Sequence, residues 1–222
     1  QELLPEAIIS CYDSYDDSQL SHLLDWADVV CIGCGLGMGQ ISEKILKNVL
    51  KNVSCPCVID ADGLNLLSRN IELLNQCCAP VILTPHMKEM SRLTGWSIDT
   101  IMEDRFQALD QIIKQSGPDT KSSIICVLKD SRTVVAQTNR QKFVNLAGNN
   151  SMAKGGSGDV LAGTIAGLLA QHMAPFEATT VGVFLHACGG DEAKKSKGSY
   201  SVLARDLIQG MADAMKNAKE CR

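Results

Sequence analysis

The segment Asn149-Asn150-Ser151-Met152-Ala153-Lys154-Gly155-Gly156-Ser157-Gly158-Asp159 carries the strongest chemical signal in the chain. Val160, Leu161, Thr164, Ile165, Leu168 and Leu169 follow at helical spacing, so the glycines lie just before and inside the first turn of a helix. There the unpaired backbone N–H groups and the positive end of the helix dipole favour an anion. Gly155, Gly156 and Gly158 around Ser157 remove the side chains that would hold a phosphate away. A carboxylate beside bound phosphates is costly, and a general base facing a substrate hydroxyl is a role that explains Asp159. The pattern is not a Walker A loop, which needs G-x-x-x-x-G-K-[ST].

Four other places hold residues suited to chemistry. Gly33-Cys34-Gly35-Leu36-Gly37 ends an apolar run and can serve as a tight turn or as a close backbone approach to a ligand. Asp60-Ala61-Asp62-Gly63-Leu64-Asn65 offers two carboxylates and an amide, which could orient a hydroxyl or, through water, a magnesium ion. Its plain alternative is that Asp62 caps the next helix. Thr84-Pro85-His86-Met87-Lys88-Glu89 puts His86 and Glu89 at a helix start. In Lys129-Asp130-Ser131-Arg132-Thr133, Lys129 is either a mobile charge for a phosphate or part of a solvated hairpin corner.

Each of these sites ends a short apolar run. Val29 to Gly33, Cys57 to Asp60, Pro80 to Thr84 and Ile124 to Leu128 read as buried parallel strands. Helical spacing is expected over Ile41–Val49, Leu64–Leu74, His86–Leu93 and Ile98–Gln115, then over Asp159–His172, Phe176–Ala193 and Ser201–Met215. Thr133–Ala136 and Lys142–Val144, split by Thr138-Asn139-Arg140, read as a hairpin. Such alternation implies a mainly parallel sheet with helices on both faces, and ligands beyond the carboxyl ends of its strands. No internal repeat or long linker divides residues 1–222, so a single domain is expected.

Composition narrows the function. A net charge of −4 with mixed signs and no basic stripe gives nucleic acid binding little support. The apolar helix Val160–Ala170 is too short to span a bilayer, and Gln1 to Pro5 shows no signal-peptide pattern, so a cytoplasmic location is expected. Ten cysteines include Cys31-x-x-Cys34, Cys55-x-Cys57 and Cys77-Cys78. His22, His86, His172 and His186 are never paired at ligand spacing, so no protein metal site is expected. Cys31, Cys57 and Cys126 read as small buried hydrophobes.

Taken in order, Gly33 to Gly37, Asp60 to Asn65, Leu83 to Glu89, Lys129 to Thr133 and Gly148 to Leu161 resemble the NAD(P)H-hydrate dehydratases of the ribokinase-like superfamily. The resemblance implies a ribokinase-like three-layer α/β/α fold with a mainly parallel central sheet. It implies repair of the hydrates of NADH and NADPH (NADHX and NADPHX): the 6-hydroxyl is phosphorylated at the expense of ADP or ATP, ADP being the first expectation, and phosphate is then eliminated. By matched position, Gly35 and His86 would contact the hydrate and Asp159 its reacting hydroxyl, with Asp60 and Asn65 at the second strand's end expected to meet it too. Lys129, Asp130, Ser131, Arg132, Thr133 and Gly158 would likewise hold the nucleotide, beside Gly155, Gly156 and Ser157 of the glycine-rich helix start. Mg2+ would be held mainly by phosphates and water. A homo-oligomer and an epimerase partner domain are further implications.

The chain departs from the family pattern at Cys34 (proline in the family) and at Lys88, Asp130 and Ser151 (glycines in the family). Asp130 adds negative charge near the expected nucleotide. The family's opening strand–helix–strand unit is also expected to be missing before Leu4-Pro5-Glu6. Two other readings remain: a ribokinase-like kinase of a vitamin precursor or sugar alcohol, and a nucleotide-binding regulator without turnover.

Overall fold

The computed structural model describes residues 6–11, 14–114 and 123–220. A six-stranded sheet runs in simple order from β1 (Val30–Ile32) through β2 (Cys57–Ile59), β3 (Val81–Leu83) and β4 (Ile124–Leu128) to β5 (Val134–Gln137) and β6 (Phe143–Val144). The first four strands are parallel, and β5 and β6 are antiparallel additions, the hairpin anticipated from the sequence.

Stepping the parallel strands in one direction with right-handed crossovers puts every connecting helix on one face. That face packs α2 (Gln40–Asn52), α3 (Ala61–Leu67), α4 (Met87–Thr94), α5 (Ile98–Glu103) and α6 (Arg105–Ile113) onto Cys57, Ile59, Val81, Leu83, Cys126 and Leu128. The alternate strand residues Val58, Ile82, Ile125, Val127 and Val135 point the other way, against α7 (Ser157–Ala170) and α8 (Pro175–Lys197). α9 (Ala204–Glu220) closes over α8 and α7. Both faces of the sheet are therefore covered, which is why its strands read as continuous apolar runs. Among the described residues, no helix is long and apolar enough to cross a membrane.

Several boundaries differ from the sequence reading. The helix expected over Leu64–Leu74 stops at Leu67, and a separate 3-10 turn covers Ile71–Gln76. The helix expected over Ile98–Gln115 breaks at Asp104, whose carboxylate accepts the Gln107 N–H at 2.9 Å and starts α6; Gln115 lies outside the described residues. α7 begins at Ser157, two residues earlier than expected. α1 (Asp17–Trp26), capped by Asp16 and burying Leu24, was not anticipated. Cys57 and Cys126 are buried as expected, but Cys31 is exposed because β1 is the edge of the described sheet.

Candidate active site

The carboxyl ends of β2, β3 and β4 meet the N-terminus of α7, and a cleft of about 930 Å3 opens there. Its volume suits a ligand of nucleotide size. The N-cap of α7 is Gly156, at φ +85°, a left-handed conformation that a side chain resists. Among the described residues, the N–H groups of Gly158 and Asp159 have no hydrogen-bond partner, whereas Ser157 donates to the Lys154 carbonyl. Two free donors at a helix N-terminus form an anion site.

Lys129 is neither a mobile charge nor a solvated corner. Its Nζ lies 2.7 Å from Asp60 Oδ1, and its backbone N–H donates to the Pro85 carbonyl, extending the parallel alignment of β3 and β4. Asp60 is only 1% exposed, so this pair is largely sequestered. Asp60 occupies the N-cap position of α3 without a side-chain cap bond. Nor does Asp62 cap that helix; it accepts the Gly37 N–H at 2.9 Å and ties the glycine turn after β1 to α3. Gly33 in that turn has φ +122°, and a Cβ there would stand 1.8 Å from the Asp60 carbonyl oxygen. The close approach of the β1 and β2 ends therefore requires glycine.

His86 caps α4: its Nδ1 accepts the N–H groups of Lys88 and Glu89, which leaves the proton on Nε2. Glu89 completes the box by accepting the His86 N–H at 2.8 Å. Burial pushes the Glu89 carboxyl above its ordinary range, against the hydrogen bond from His86 and the charge of Lys129.

Asp60, His86, Lys129 and Asp159 all line the cleft. So do Asp130, Ser131 and Arg132 beyond β4, and Gly156, Ser157 and Gly158 at α7. Gly35, Asn65, Thr133 and Gly155 do not. Asn65 Oδ1 instead accepts from Arg92 Nη1 at 2.6 Å, and the Thr133 hydroxyl donates to the Asp130 carbonyl. The charge added at Asp130 is met by Arg105, whose Nη2 is 2.9 Å from its carboxylate.

Sequence reasoning missed three contributors. His186 on α8 lines the cleft, with Nε2 3.3 Å from the Ser157 hydroxyl; burial lowers its pKa to about 4. Asp191 on α8 accepts the Gly148 N–H at 3.1 Å and the Asn149 amide at 2.8 Å, holding the loop that leads into the glycines. Asn145 is buried against the cleft, and its Oδ1 has no partner among the described residues.

For a metal, one convergent group stands out among the described residues: Cys34 Sγ and carboxylate oxygens of Asp60 and Asp159, within 4.8 Å of one another. A soft thiol and a carboxylate already paired with Lys129 do not suit a hard octahedral ion such as Mg2+. These residues therefore form no protein cage for it.

A family model described as Carb_kinase, NAD(P)H-hydrate dehydratase, matches residues 1–212. The chain is 37% identical over 193 residues to the bifunctional NAD(P)H-hydrate repair enzyme of Moorella thermoacetica, covering 87% of this chain and 35% of that enzyme. It is 35% identical over 222 residues to the ADP-dependent (S)-NAD(P)H-hydrate dehydratase of Neisseria meningitidis, covering 98% of this chain and 73% of that one. The ADP/ATP-dependent NAD(P)H-hydrate dehydratase of Bacillus subtilis, co-crystallised with ATP and Mg2+ and soaked with CoA, matches the fold with a TM-score of 0.74. Identity there is 29%, over 86% of this chain and 66% of that structure. The chain spans 35–40% of the length of the bifunctional relatives from Moorella thermoacetica, Thermofilum pendens and Coxiella burnetii.

Proposed function

The chain belongs to the NAD(P)H-hydrate dehydratase family, and from that membership and the geometry above we propose that it dehydrates the hydrates of NADH and NADPH at the expense of ADP or ATP. The single observation that carries this reading is Asp159, in the first turn of α7, whose own N–H is one of the two donors of the anion site.

In this account the terminal phosphoryl group of the nucleotide lies against the Gly158 and Asp159 N–H groups. Their partial positive charge, with the helix dipole behind it, stabilises the charge that develops on the transferring group. Asp159 faces the 6-hydroxyl of the hydrate and takes its proton as the oxygen attacks phosphorus. One P–O bond forms, another breaks, and the shortened nucleotide leaves. The phosphate on C6 is then a good leaving group. As the C6–O bond breaks, C5 loses a proton and the 5,6 double bond is restored, releasing inorganic phosphate. Mg2+, held by the phosphates and water, would neutralise polyphosphate charge.

Lys129 serves best as a fixed positive charge, oriented by Asp60 and standing beside Gly158. Ser131 and Arg132 border the side of the cleft suited to the rest of the nucleotide, and His86 offers its Nε2 proton to the hydrate. Gly35, Asn65, Thr133 and Gly155 do not line the cleft and are assigned from the sequence alone. The reading carries a cytoplasmic location, where reduced nicotinamide cofactors and adenine nucleotides meet.

The test is stoichiometry. Hydrated NADH incubated with the protein, Mg2+ and either nucleotide should give one inorganic phosphate and one shortened nucleotide per NADH recovered. Nucleotide breakdown without NADH recovery would instead indicate a kinase or hydrolase of another substrate.

A further inference from the structure

The carboxylate of Asp130 stands in the wall of the cleft with one oxygen engaged and one to spare. Its Oδ2 lies 2.9 Å from Nη2 of Arg105, the first residue of α6. Among the described residues, its Oδ1 has no hydrogen-bond or ion-pair partner. The backbone is pinned on both sides. The Lys129 N–H donates to the Pro85 carbonyl at 2.8 Å, and the Thr133 hydroxyl donates to the Asp130 carbonyl at 3.2 Å. Asp130 is not among the residues at positive φ, so its side chain stands without backbone strain where the family pattern has glycine. The chain therefore carries a fixed acceptor that the family pattern lacks, next to Lys129.

A nucleotide offers such an oxygen few partners. Its phosphates are negatively charged acceptors that repel a carboxylate, and they belong at the Gly158 and Asp159 N–H groups beside Lys129. Its ribose presents the 2′- and 3′-hydroxyls, neighbouring donors from which a carboxylate accepts charge-assisted hydrogen bonds. Arg105 offsets the negative charge, which lets the carboxylate stand near polyphosphate. We propose that Asp130 is a specificity-determining residue that accepts from the ribose hydroxyls of the nucleotide co-substrate, with Arg105 holding its carboxylate in place. This deepens the dehydratase reading and rests on it for a nucleotide in the cleft. The consequence is selection of ribonucleotides over their deoxy counterparts by a residue particular to this chain.

The experiment is calorimetric titration with ADP, 2′-deoxy-ADP and 3′-deoxy-ADP of the wild type, Asp130→Gly, Asp130→Asn and Arg105→Met. The wild type should bind ADP about ten-fold or more tighter than the weaker of the two deoxy analogues, the loss expected when a hydrogen bond to a charged group is left unmade. Asp130→Gly should bring all three nucleotides within about three-fold of one another, and Asp130→Asn, an acceptor without charge, should fall between. Arg105→Met should narrow the preference in the wild-type background and leave it unchanged in Asp130→Gly, a coupling that a purely structural role at the start of α6 would not produce.

The preference should persist when divalent cations are chelated, because the contact is to the sugar. Its disappearance with chelation would make Asp130 a metal-water contact and overturn the proposal. So would equal wild-type affinity for the three nucleotides, or an undiminished preference in Asp130→Gly. The titrations need no turnover, so the two readings fail separately. A wild type that discriminates but recovers no NADH sinks the dehydratase reading and keeps the ribose contact. One that recovers NADH without discriminating sinks the ribose contact alone.

Discussion

Lys129 Nζ and Asp60 Oδ1 stand 2.7 Å apart directly behind Gly158, where an added Cβ would meet Nζ at 3.2 Å and Asp60 Oδ2 at 3.3 Å. The pair links the ends of β4 and β2 to the anion site, and its burial makes it costly to break from one side.

Replacing Lys129 by methionine leaves the Asp60 carboxylate buried without its partner. Unpairing a buried charge typically costs about 3–5 kcal/mol, and the 18% exposure of Lys129 favours the lower part of that range. Urea unfolding should show this loss, and the double variant Lys129→Met with Asp60→Asn should recover part of it. An unchanged midpoint in the single variant would show that the pair is solvated in practice.

Gly158→Ala tests the anion site. The new methyl group crowds Lys129 Nζ at 3.2 Å and the buried Asp60 Oδ2 at 3.3 Å, so both must give by a few tenths of an ångström and stability should fall by about 1–3 kcal/mol. Nucleotide affinity should fall about ten-fold or more, because the methyl group pushes the Lys129 ammonium away from the anion site. Calorimetric titration with ADP and ATP measures this directly, and unchanged affinity would move the phosphates elsewhere in the cleft.

His186 makes the fold acid-sensitive in a defined window. Its native pKa is lowered to about 4, chiefly by burial, whereas the unfolded chain titrates near the ordinary histidine value of about 6.5. Between these values the unfolded state binds more protons, so this contribution to stability is present above about pH 6.5 and is lost as pH falls toward 4. Thermal unfolding between pH 7 and 5 should decline more steeply in the wild type than in His186→Gln. Parallel slopes would remove His186 as the cause.

The thiols near the site should be inert despite their exposure. Cys34 and Cys31 are exposed, but raised values of about 12 and about 11 leave little thiolate at neutral pH. Iodoacetamide at neutral pH should alkylate both more than about ten-fold slower than glutathione, as read by peptide mass spectrometry. Rapid modification of Cys34 would mean that burial does not raise its thiol in this way.

The parts of this fold that were legible in the sequence share one physical cause. A strand buried on both faces must be apolar throughout, so Val81-Ile82-Leu83 and Ile124 to Leu128 declared themselves, and the residues just beyond them marked the cleft. The glycines before α7 were visible because an anion site at a helix start needs backbone without side chains. His186 and Asp191 were not, because they sit inside a long helix of small residues far from any strand end. Only the packing of α8 against α7 brings His186 to Ser157. Lys129 was placed in the site but not in its ion pair, since Asp60 lies on another strand. The break at Asp104 was written in the sequence as a capping residue inside an apolar period, where the hydrophobic spacing alone hid it.

The most direct test of the central claim is recovery of the reduced-nicotinamide absorbance from hydrated NADH, with Mg2+ and ADP or ATP, by wild type and Asp159→Asn. The account predicts nucleotide-dependent recovery by the wild type. In the variant it predicts a rate lower by about 10²–10⁴-fold with nucleotide affinity intact, the loss expected when a general base is removed. Recovery at the same rate by both proteins would contradict the assignment of Asp159 as the base.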